Sequence, residues 1–200
     1  VATNNYLGLA QEPRVISAGR KALEKFGIGC TGSRFLNGTL DIHIALEKAL
    51  AEFVQKEAAL VFSTGFQVNL GVIDALLGRR DLAFIDSLSH ACVVDACRLA
   101  WGNKVTFQHN DFQDLSKKLE KADEDRGKLV IVEGIYSMEG DIADLPNIAK
   151  TSTKHKCRLM LDDAHGVGVL GRTGAGTAEH FGLEDEVDLI MGTFSKSFAS

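Results

Sequence analysis

Proline is scarce, 2 in 200 residues, and the 20 glycines follow no triplet period, which excludes a collagen-type chain. No apolar run approaches the ~18 residues that would span a bilayer, and no signal-peptide pattern opens at Val1. The four cysteines, Cys30, Cys92, Cys97 and Cys157, form no C-x-x-C pair, and no histidine cluster has zinc spacing. Reduced thiols in a cytoplasmic protein without a bound metal are therefore expected. A basic excess is missing as well. With 22 Lys and Arg against 27 Asp and Glu the net charge is −5, which speaks against a nucleic-acid binder. Disorder is excluded by a hydrophobic content of 45 % with 24 % charged residues, ordinary globular usage. What stands out is glycine, 20 in 200 against an average of about 7 %. In a well-patterned sequence that excess points to tight turns or to close approach of backbone and ligand.

Two hundred residues can bury a proper core without disulfide or metal staples. Apolar residues recur at helical spacing over residues 13–26 (Val15, Ile16, Ala22, Leu23, Phe26) and 42–54 (Ile42, Ala45, Leu46, Ala49, Leu50, Phe53), with Asp41 as a candidate cap for the second helix. Short apolar runs at 58–62, 82–86, 104–108, 129–133, 158–162 and 187–191 read as strands buried on both faces. Helical segments at 68–77, 92–100, 112–122 and 145–155 separate them. Alternation of this kind predicts an α/β fold, a mainly parallel sheet with helices on both faces. No repeat, linker or internal domain boundary stands out.

In such sheets ligands bind beyond the carboxyl ends of the strands, so the residues after each strand are the ones to inspect. Ser63-Thr64-Gly65-Phe66 leads from a strand into a helix, and serves equally as a phosphate-binding helix start or a plain glycine turn. His90, after 82–86, is a helix cap or a functional imidazole. Ser137 lies in a polar turn just behind Glu133. Asp162 and His165 end another buried run, where a carboxylate is costly unless it holds a cationic partner or a metal. Lys196, between Ser195 and Ser197 and near Thr193, is a surface lysine or a desolvated amine fit for a Schiff base. Gly166, Gly168 and Gly171 match the dinucleotide pattern G-x-G-x-x-G, but no amphipathic helix opens at the third glycine, so the match carries little. Taken together, a phosphate site, an aspartate, two histidines and a lysine fit pyridoxal 5'-phosphate best.

Seven stretches then show a family resemblance: NNYLGLA at 4–10, GTLDIH at 38–43, FSTGFQVNLG at 62–71, DSLSHA at 86–91, EGIYSMEGD at 133–141, DDAHGVGVLG at 162–171 and GTFSKS at 192–197. In this order the chain resembles the α-oxoamine synthases, pyridoxal-phosphate enzymes of fold type I, along essentially its whole length. The resemblance implies the aspartate-aminotransferase-like large domain over 1–200, with an N-terminal lead-in over about residues 1–25 and a small C-terminal domain that would follow. It implies that Lys196 forms the Schiff base and moves the Cα proton, that Asp162 pairs with the ring nitrogen, and that His165, helped by Ser137, bonds the ring's phenolic oxygen. His90 would stack on the ring and orient the substrate carboxylate. Gly65 and Phe66 N–H groups with the Thr193 and Ser195 hydroxyls would hold the phosphate, Asn4 would contact substrate, and Glu133 would lie near the ring. The implied reaction is a decarboxylative condensation of an amino acid with an acyl-CoA in a homodimer whose sites lie at the interface. TGSRFLNGT at 31–39 and GTFSKSFAS at 192–200 resemble the members that use serine and a long-chain acyl-CoA, ahead of those that use alanine or glycine. A non-catalytic interaction module on the same fold is the remaining alternative, against which Lys196, Asp162 and His165 all stand.

Overall fold

The computed structural model describes residues 3–200. It divides into two compact units, one made of residues up to Val61 together with Phe194–Ser200, the other of Phe62–Thr193.

The second unit carries a five-stranded sheet in the order β2-β1-β3-β4-β5, formed by β1 (Leu82–Asp86), β2 (Asn103–Phe107), β3 (Lys128–Glu133), β4 (Arg158–Asp162) and β5 (Leu189–Met191). Every pairing is parallel. Successive side chains of a strand alternate between the faces, and the core divides accordingly. Phe84, Val130, Val132, Leu159 and Leu161 pack with Leu115 and Leu119 of α5 (Phe112–Leu119) and with Leu145 and Ile148 of α6 (Leu145–Lys154). Ala83, Ile85, Leu129, Ile131 and Met160 pack with Ile73 of α3 (Gly65–Leu76) and with Cys92, Val93, Ala96 and Cys97 of α4 (Ala91–Leu99). Helices thus cover both faces, and the inner strands β1, β3 and β4 are buried nearly end to end, whereas β2, expected to be buried on both faces, lies at the edge and exposes Asn103, Lys104 and Thr106. A short α7 (Thr177–Phe181), which the periodicity does not reveal, follows the glycine-rich turns after β4.

The first unit holds a turn of 3-10 helix (Leu9–Gln11), α1 (Pro13–Phe26) and α2 (Asp41–Phe53). Proline at the first position suits α1, because the N–H it lacks would have no partner there. Asp41 is not the cap of α2. Leu40 occupies that position, its N–H donating to His43 Nδ1 (3.0 Å), and Asp41 reaches back to Lys25 (3.1 Å). The expected strand at 58–62 is absent from the sheet. Side chains take the place of a neighbouring strand: Val61 N donates to Glu47 Oε1 (2.9 Å) and Val61 O accepts from Arg34 Nη1 (3.2 Å), while Arg34 and Glu47 pair at 2.8 Å. Among the described residues no helix is long and apolar enough to cross a membrane.

Candidate active site at the carboxyl edge of the sheet

Because the strands are all parallel, their carboxyl ends share one edge of the second unit. Three carboxylates close their strands there, Asp86 on β1, Glu133 on β3 and Asp162 on β4, and each is at most 5 % exposed. Glu133 and Asp162 are direct neighbours in register, with Met191 of β5 on the other side of Asp162. Burial beside like charge disfavours ionisation. Desolvation first, and the Asp162 charge second, push the Glu133 carboxyl up to about 7.

Asp162 is held by donors. Its Oδ2 accepts from Asn69 Nδ2 at 2.7 Å and its Oδ1 from Ala164 N at 3.2 Å. Asn69 is fully buried in α3 and also donates to Cys92 Sγ (3.1 Å), while its Oδ1 has no partner. Two N–H bonds favour the ionised, fixed form of a carboxylate, the form that can face a protonated ring nitrogen. Neither Asn69 nor Cys92 was distinguishable in the sequence, since both sit inside helices whose apolar period absorbs them. Among the described residues no group of three His, Cys, Asp or Glu side chains is arranged to hold a metal.

His90 caps α4, its Nδ1 accepting from Cys92 N (3.1 Å) with Cys92 Sγ 2.8 Å away. A ring nitrogen that accepts a backbone N–H carries no proton, so the neutral ring is protonated at Nε2. Burial pushes the Cys92 thiol above its ordinary range. The backbone N–H of His90 donates to Glu133 Oε1, which ties the start of α4 to the end of β3. Capping and ligand contact are compatible, because Nε2 takes no part in the cap.

The start of α3 has the form of an anion cradle. Thr64 caps the helix by accepting from Gln67 N at 3.1 Å, and the N–H groups of Gly65 and Phe66 find no acceptor among the described residues. Gly65 lies against the end of β5, where a Cβ would come within 2.6 Å of Thr193 Cγ2 and 3.1 Å of Met191 Cε. The structure therefore brings Gly65 against the Thr193 methyl, an approach only glycine permits, while the Thr193 hydroxyl donates to Ala164 O (3.4 Å). A phosphate between these groups and an acid-bound ring at Asp162 match the donor set, so the residues fit pyridoxal phosphate.

Behind Asp162 the chain turns sharply. Asp163 is fully buried and accepts from Thr177 N (2.7 Å) and Thr177 Oγ1 (2.6 Å), and desolvation pushes its carboxyl up to about 6. A Cβ on Gly134, Gly166 or Gly176 would fall 2.0–2.1 Å from its oxygens. Asp163 is thus a structural pin, and His165 stands half-buried on the turn it organises. Ser137 is exposed on the turn after β3. The G-x-G-x-x-G match opens no helix at its third glycine. Gly168 N bonds Gly174 O (2.7 Å) and Gly176 N bonds Leu170 O (3.0 Å), a closed loop stack.

The remaining sequence candidates belong to the first unit. Lys196 is half-buried and Ser195 exposed, on a bend whose Ser200 N returns to Phe194 O (2.9 Å) and whose Phe198 packs edge-on to Phe53. Asn4 is exposed and accepts from Tyr6 OH at 3.2 Å.

The chain belongs to the aminotransferase class I and II family, whose model matches residues 1–200. It is 54 % identical to a serine palmitoyltransferase of Sphingobacterium spiritivorum over 198 residues, 99 % of this chain and 50 % of that protein. It is 42 % identical to an 8-amino-7-oxononanoate synthase of Lysinibacillus sphaericus over 199 residues, again the whole chain and 51 % of the relative. Its fold superposes with a TM-score of 0.98 on a serine palmitoyltransferase of S. paucimobilis solved with a PLP–myriocin aldimine bound, at 43 % identity over the whole chain and 50 % of that one. The chain spans about half the length of the curated relatives it matches.

Proposed function

We propose that the protein of which this chain is part is a pyridoxal-phosphate-dependent acyltransferase, condensing L-serine with palmitoyl-CoA to 3-ketodihydrosphingosine, coenzyme A and carbon dioxide. The observation that carries the reading is the donor-held Asp162 at the end of β4, on the same sheet edge as the Gly65–Thr193 cradle. The choice of serine and a long acyl chain is supported by the identity to serine palmitoyltransferases.

When bound, pyridoxal phosphate supplies a ring that accepts the electrons left at Cα as a proton or carboxylate departs. Asp162 keeps the ring nitrogen protonated, and Asn69 keeps Asp162 in place. The N–H groups of Gly65 and Phe66, with the Thr193 and Ser195 hydroxyls, bind the phosphate. His165 and Ser137 bond the phenolic oxygen. His90 lies against the ring face and offers Nε2–H to the substrate carboxylate, with Glu133 anchoring its backbone. Lys196 forms the covalent link and takes the Cα proton of serine, and Asn4 contacts the substrate. A homodimer in the cytoplasm is part of the proposal. Ile28, Phe35, Leu36 and Ile44 of the first unit expose more than half of their surface, as residues awaiting a partner do.

Steady-state assays of the full-length protein with serine, alanine and glycine, each against long and short acyl-CoA, decide the substrate. Serine with palmitoyl-CoA is expected to give the highest kcat/KM. A preference for alanine would make it an 8-amino-7-oxononanoate synthase, and one for glycine a 2-amino-3-ketobutyrate ligase.

A further inference from the structure

His109, the second residue after β2, has no part in the roles above. Its ring lies between two carboxylates, with Nδ1 2.9 Å from Asp86 Oδ1 and Nε2 2.9 Å from Asp141 Oδ2. A neutral imidazole has one N–H and one lone pair, so it can donate to only one of them and would turn a lone pair on the other. With both carboxylates ionised, the geometry requires the doubly protonated ring. Partial burial opposes that charge, but the hydrogen bonds to Asp86 and Asp141 outweigh it and raise the histidine above its ordinary range. The neighbouring Asn110 repeats the connection. Its backbone N–H donates to Asp86 Oδ2 (2.8 Å), its Nδ2 to Ile142 O (3.1 Å) and at 3.4 Å to the same Asp141 Oδ2, and its Oδ1 accepts from Asp144 N (2.6 Å).

Three segments meet at this ring: the end of β1, which runs on to His90; the end of β2; and the turn after β3, which carries Ser137. We propose that His109 is a positioning residue, an imidazolium clamp that holds the turn 136–142 against the end of β1, and that loss of its proton frees the turn on the Asp141 side. Asp141 lets go first because its side chain is 41 % exposed and water can replace the bond. Asp86 has no exposure, so water cannot replace the Nδ1 donor that its Oδ1 receives beside Leu88 N (2.8 Å). The groups facing the ring are Asp86 from β1 and Asp141 and Tyr136 from the turn after β3, with Tyr136 edge-on at 4.5 Å. On its own side, Asp111 is spent on the α5 cap, and Asp114 on Gln108 N and Lys118. The consequence for the cofactor rests on the proposed roles of Ser137 and His90; the clamp does not.

The test is amide hydrogen exchange across pH on the full-length holoenzyme, read at 136–142, where Tyr136 N bonds Asp141 O and Gly140 N bonds Tyr136 O. The cofactor dissociation constant is measured on the same samples. Protection corrected for intrinsic exchange is expected to fall about tenfold through a midpoint above the ordinary histidine range, as one charge-assisted bond is lost. In Asp141→Asn that midpoint shifts to lower pH, because one of the two carboxylates that stabilise the proton is gone. His109→Gln, which has no ring to titrate, should show reduced protection without a pH step, the Asn110 bonds still holding the turn in part. Protection that is flat across pH, or a midpoint unmoved in Asp141→Asn, overturns the clamp. A clamp that titrates as expected while cofactor affinity stays constant supports the clamp and removes Ser137 and His90 from the cofactor site.

Discussion

Asn69 shows how a residue with no motif of its own can govern one that has. A buried amide whose Nδ2 serves both Asp162 and Cys92 fixes the carboxylate more firmly than a solvent-facing donor could. Replacing it with leucine removes the 2.7 Å bond and leaves a buried carboxylate short of a donor, at a cost of about 1–3 kcal/mol. Cofactor affinity of Asn69→Leu in the full-length protein, followed by absorbance titration, is therefore expected to fall by about tenfold or more. Unchanged affinity would mean that Ala164 N alone holds Asp162. Asp162, His90 and His165 stand out in the sequence because they are polar groups at or just past the ends of buried runs, where chemistry is the simplest reason to tolerate them. His109 obeys the same rule after β2, and inspecting that strand end would have found it. Asn69 and Cys92 obey no such rule, since their partners are 93 and 23 residues away from Asn69 in the chain.

At the level of elements, short apolar runs translated well into strands wherever a neighbouring strand was available. Residues 82–86 and 158–162 are strands over their full expected lengths. The run at 58–62 has the same composition and is no strand, because Arg34 and Glu47 satisfy the backbone of Val61. Periodicity cannot see a ladder bond made by side chains. Nor can it see α7, five residues long and fixed by Asp163 from outside. The turns around Asp163 yield a contrast. Gly134→Ala would place a methyl group 2.1 Å from Asp163 Oδ1 and should cost about 1–3 kcal/mol by overpacking. Gly19→Ala, in open space on α1, should instead stabilise by about 0.5–1 kcal/mol through helix propensity. Urea midpoints of the two variants should move in opposite directions; a shift of the same sign would contradict the packing at Asp163.

On the scale of the molecule, the parallel sheet with a core on each face was legible because strand and helix periods alternate along almost the whole of residues 65–191. The division into two units was not, since neither a linker nor a change in composition marks residue 61 or 194. The glycine excess has a partial physical account. Gly65 lets α3 approach β5 where a phosphate would lie, and Gly134, Gly166 and Gly176 leave room for Asp163. Both groups serve the carboxyl edge of the sheet. The proposal that Lys196 carries pyridoxal phosphate is tested most directly by borohydride reduction of the full-length protein followed by peptide mapping. The account predicts a yellow protein whose reduced cofactor is attached to Lys196 and to no other lysine. An adduct on a different residue, or none at all, would contradict it.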